Sequence, residues 1–120
     1  MRTTQHKVDF DLGSHSLYLV IADSPEIAAK YIKKKHDIDV TNYDNSEAFF
    51  VGNFQNLIIF IHPNTTLDYL VHEIIHAFQY MCERMSTIPD SEAQAYMVQM
   101  IFKKMLEKLI KVKKIELKYL

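Results

Sequence analysis

Short apolar runs separated by turn residues organise the first half of the chain. Lys7–Phe10 and Ser16–Ala22 predict two strands, broken at Leu12, Gly13 and Ser14. Ser24, Pro25 and Glu26 then predict a helix start: a capping Ser, Pro at the first helical position and an acid in the first turn. This helix is expected to run to about Lys35. Ala48–Val51 and Asn56–Ile61 predict a second strand pair around the turn dipeptide Gly52-Asn53. The second of these is apolar throughout and stops at Pro63.

Beyond Pro63 the period lengthens to that of a helix. Leu67, Leu70, Val71, Ile74, Ile75 and Phe78 form a broad apolar stripe, and Thr65-x-x-Asp68 reads as a capping box at its start. A loop near 86–89 leads to a last helix beginning at Asp90 or Ser91. Residues 115–119 alternate apolar and charged, so helix and strand both stay open there. The order β-β-α-β-β-α-α predicts an α+β fold. We expect a small antiparallel sheet packed against a backing helix and the striped helix, followed by a long C-terminal helix.

Composition narrows the class. The 120 residues, 48% apolar and 24% charged, fit one folded domain spanning 1–120. The lone Cys82 fits a reducing compartment, and no apolar leader or membrane-length run is visible, so the expected location is cytoplasmic. Charge is uneven: residues 103–118 carry +5, whereas residues 1–102 carry −6. The lysines of the basic stretch alternate with Leu106, Leu109, Ile110, Val112 and Ile115. That is the pattern of a solvated helix face rather than a nucleic-acid patch, although such a face can dock a protein partner.

The striped helix also carries chemistry. His72, Glu73 and His76 stand as H-E-x-x-H, a match that composition alone would produce about 2% of the time. Positions i and i+4 share a helix face, so both imidazoles can reach one zinc ion. Glu73 points to an adjacent direction, where it can act as general base toward water. Two histidines leave a catalytic zinc site one protein ligand short.

No histidine follows His76, which excludes the zincin subtypes completed by a third, downstream one, and His62, ten residues before the motif at a strand end, reads as a solvated loop residue. Cys82 and Glu83 continue along the same helix, Cys82 already about 9 Å of rise beyond His76. Glu92 is the best remaining candidate, on one condition. It would lie about 12 Å along the axis from His76 if the motif helix reached Met85 and the next packed antiparallel. The motif helix must therefore end soon after Phe78 to Met81, or the helices must cross steeply. Glu107 is the fallback.

The stretch from Thr66 through Ala77, with Ser91-Glu92-Ala93-Gln94-Ala95-Tyr96 after it, resembles gluzincin-type zinc metallopeptidases. In particular it is similar to the small single-domain zincins of phages and prophages. The resemblance covers about residues 55–100. It implies one Zn²⁺ held by His72, His76 and Glu92, with Glu73 as base and a peptide or protein as substrate. Tyr96 departs from the pattern of larger gluzincins, which have an aspartate there that orients a histidine. The expected function is thus a zinc-dependent hydrolase, most simply a peptidase, with Leu57–Ile61 as the edge receiving an extended substrate. The small size and basic tail motivate the alternative, a non-catalytic or regulatory zinc-binding module that docks a protein partner.

Overall fold

Leu17, Leu19 and Ile21 alternate into one core while Val20 turns into the other, which starts the sheet. In the computed structural model, which describes residues 3–12, 15–41, 43, 46–84 and 89–113, Thr4–Leu12 (β1) pairs antiparallel with His15–Ile21 (β2). Pro25–His36 (α1) follows. The Ser24 hydroxyl accepts from the Ile27 N–H at 3.2 Å, and Asp37, left-handed at φ 55°, closes the far end by donating its N–H to the Lys33 carbonyl.

Ala48–Gly52 (β3) and Asn56–Ile61 (β4) pair antiparallel, and β4 also pairs parallel with β2, giving the order β1-β2-β4-β3. The fold is α+β as expected, with a mixed rather than wholly antiparallel sheet. The cause lies in β4, whose Leu57–Ile61 are all buried. Leu57, Ile59 and Ile61 join the core beneath the last two helices, while Ile58 and Phe60 join the core beneath α1. A strand apolar on both faces needs neighbours on both sides and cover above and below. It therefore occupies the interior, and the free edge on that side of the sheet falls to β3. The expectation that Leu57–Ile61 would receive a substrate strand is corrected by this topology.

Leu67–Arg84 (α2) and Ser91–Lys113 (α3) cover the other face of the sheet. The predicted capping box of Thr65 and Asp68 gives way to other partners. Thr65 donates its hydroxyl to Glu47 at 3.4 Å, and it is the Thr66 hydroxyl that donates to the Asp68 carboxylate. Asp90 caps α3, its carboxylate accepting from the Ala93 N–H at 2.8 Å. Ile101, Met105 and Leu109, spaced by four, hold α3 to the core. The strand-or-helix alternative at 115–119 lies outside the described residues. No helix among the described residues is long and apolar enough to cross a membrane.

Candidate metal centre

Helix geometry separates the three motif residues into two environments. The stripe of Leu70, Ile74, Ala77, Phe78 and Met81 faces the core and turns His72 and His76 outward, where both are exposed. Glu73, about 100° round the helix from His72, turns toward β3 and is only 8% exposed. It is the sole charged residue in the core of the described chain.

The two Nε2 atoms lie 3.1 Å apart, the rings meeting edge to face at 78°. Two nitrogens each about 2.0–2.1 Å from one tetrahedral zinc ion are separated by about 3.3 Å, so this pair fits a shared ion with a shift of a few tenths of an ångström.

Glu73 stands at the sheet edge. Burial pushes its carboxyl above the ordinary 4.5, while His72, His76 and the Phe50 backbone N–H pull in the opposite direction. That N–H is available because of strand register. Glu47 accepts from the His62 N–H at 2.8 Å, and Asn53 donates to the Asn56 carbonyl at 2.9 Å. Alternate residues of β3 thus turn toward β4, leaving Ala48, Phe50 and Gly52 to present their backbone groups outward. A cavity of about 250 Å³ runs between this edge, Glu73 and the preceding segment, where Thr41, Tyr43 and Ser46 line it. The Ser46 hydroxyl oxygen is buried with no hydrogen-bond partner among the described residues. No pattern in the sequence points to Ser46 or to the Phe50 N–H, since both depend on which strand is outermost.

The third ligand is not assembled. Among the described residues no group of three or more His, Cys, Asp or Glu is close enough to hold a metal ion. Because α2 continues to Arg84, the early helix end that would bring Glu92 to His76 does not occur. Glu92 lies exposed in the first turn of α3, and Glu107 is exposed beside Lys104, 3.8 Å from its ammonium. Burial raises the pKa of the Cys82 thiol, which disfavours the thiolate a metal would need. His62 is taken up in the turn before α2, its Nδ1 accepting from the Asn64 N–H at 3.1 Å. Tyr80 packs edge-on against Phe50, while Tyr96 is 60% exposed.

Compared with protein-family models, with curated proteins and with solved structures, the chain matches none.

Proposed function

We propose that the protein is a zinc-dependent hydrolase of the small gluzincin-like type, acting on peptides. One observation carries the reading: two imidazole nitrogens at metal-sharing distance flank a buried carboxylate that faces an open sheet edge. A zinc ion held there supplies Lewis-acid polarisation of a carbonyl and acidifies water.

The remaining work falls to side chains and backbone. His72 and His76 bind the ion through Nε2. Glu73, its pKa raised by burial, takes a proton from water and returns it to the leaving amine. The outward N–H and C=O groups of Ala48, Phe50 and Gly52 bind an extended peptide by strand addition, taking the place first given to β4. Glu92 is the acid that would complete the ligand set, and to do so the first turn of α3 would have to move toward His76. Between the two helices lies an apolar groove of about 580 Å³ that includes Ile75, Gln79, Gln94 and Val98. The free Cys82 fits a cytoplasmic setting.

Hydrolysis of a mixed peptide library by the zinc-loaded protein tests the reading. Glu73→Gln is expected to retain zinc and to lower kcat by at least about 100-fold. Zinc retained with turnover unchanged would remove Glu73 from the mechanism. Glu92→Gln is expected to weaken zinc binding by at least about tenfold. That no third ligand stands beside the histidine pair among the described residues favours a second reading, a non-catalytic zinc module that docks a protein partner. It predicts zinc binding with no turnover by either protein.

A further inference from the structure

Past the histidine pair, α2 continues for two more turns, and Tyr80 and Arg84 follow His76 at four-residue spacing on the same side. The Arg84 guanidinium packs against two rings. Its central carbon lies 4.5 Å from the centroid of Tyr80 and 4.7 Å from that of Phe54, itself 76% exposed at the β3–β4 turn. Contacts of this kind engage the flat face of a guanidinium and leave its N–H edge available to a planar acceptor. Among the described residues no carboxylate lies within 4.0 Å of it.

A cavity of about 410 Å³ opens beside the guanidinium, lined by His15, Phe54, Glu83 and Arg84. The His15 side chain lines it, and its Nε2 is buried without a hydrogen-bond partner among the described residues. Arg84, exposed and without an acid partner among those residues, borders the same space, with Glu83 the one acid lining it. Buried polar atoms are normally paired, so the His15 nitrogen beside an unmatched guanidinium points to an acceptor supplied from outside.

Its position relates it to the proposed active site. Arg84 lies eight residues beyond His76, about 12 Å along the helix axis. β3 runs beside α2 in the same direction: Phe50 donates to Glu73, its ring meets Tyr80 at 5.5 Å, and Phe54 covers Arg84. An extended chain advances about 3.3 Å per residue, so this span is three to four residues.

We propose that Arg84 and His15 anchor a carboxylate of the peptide laid along β3, three to four residues from the bond that is cut. The inference rests on the peptidase reading. A peptide antiparallel to β3 would present an Asp or Glu side chain upstream of that bond, whereas a parallel one would present its C-terminal carboxylate.

Binding of fluorescently labelled heptapeptides to zinc-loaded Glu73→Gln, read by anisotropy, tests this without requiring turnover. One peptide is neutral and amidated, one is the same peptide with a free C-terminal carboxylate, and the others are amidated with a single Asp moved along the chain. Either the free acid or one Asp position is expected to bind about tenfold tighter than the neutral amide, and which of them gains identifies the source. Adding Arg84→Gln removes that gain, with the neutral amide as internal reference. Arg84→Lys, which keeps the charge but not the plane, retains only part of it. Equal affinity for all the peptides would overturn the proposal, as would a gain that survives both Arg84→Gln and His15→Ala. Absence of cleavage by the wild-type protein, with the anchor intact, would count against the peptidase reading alone.

Discussion

Glu73 is held in the core by its place on the helix, and this burial has a cost that pH makes visible. In zinc-free protein its carboxyl binds a proton more tightly when folded than when unfolded, because burial raises its pKa above 4.5. The folded state then holds more protons than the unfolded chain between the two pKa values, so stability falls as pH climbs through that interval. Glu73→Gln lacks this loss. Its melting temperature is expected to exceed that of the wild type at pH 7, with the difference shrinking toward pH 4; a difference independent of pH would contradict the burial argument. The same substitution removes the proposed base, so stability and activity are expected to move in opposite directions. The pairing of His72 with His76 was legible in the sequence because it depends only on local helix spacing. Glu92 was not settled there, because its distance from His76 depends on where α2 ends and how α3 crosses it.

Among the elements, strand and helix positions followed closely from periodicity and turn chemistry. Ser24-Pro25 opened α1, Asn53 closed the β3–β4 turn, and Asp90 capped α3. Strand order was harder to read. An apolar run such as Leu57–Ile61 signals burial on both faces, and that same property makes it a poor edge. The free edge fell to β3, which also sets the close approach at Gly52. A Cβ there would meet Phe50 Cζ and Tyr80 Cε1 at 3.0 Å and the Asn56 carbonyl oxygen at 3.3 Å. The two rings pack against each other, and the Asn56 carbonyl is fixed by the Asn53 N–H. Gly52→Ala is therefore expected to destabilise the protein by about 1–3 kcal/mol, measured as a lower denaturant midpoint. An unchanged midpoint would mean that the seam between β3 and α2 is looser than described.

At the scale of the whole molecule, the sheet carries two cores, and the proposed chemistry sits where its free edge meets α2. Helix spacing alone sets His72 and His76 side by side, whereas the surface that a substrate would meet is not legible in the sequence. That surface joins residues far apart in the chain: Ser46 and Phe50 before the motif, Arg84 after it, and His15 near the start. An ion that binds the folded chain and not the unfolded one stabilises it, so the proposed zinc binding and stability are expected to be linked. Zinc at 100 times its dissociation constant is expected to add about 2.7 kcal/mol to unfolding. Calorimetric titration of the metal-free protein with zinc decides whether His72 and His76 form one half of a zinc site. One ion per chain is expected, with that binding abolished by His72→Ala combined with His76→Ala. No binding to the wild type, or equal binding to the double variant, would contradict it.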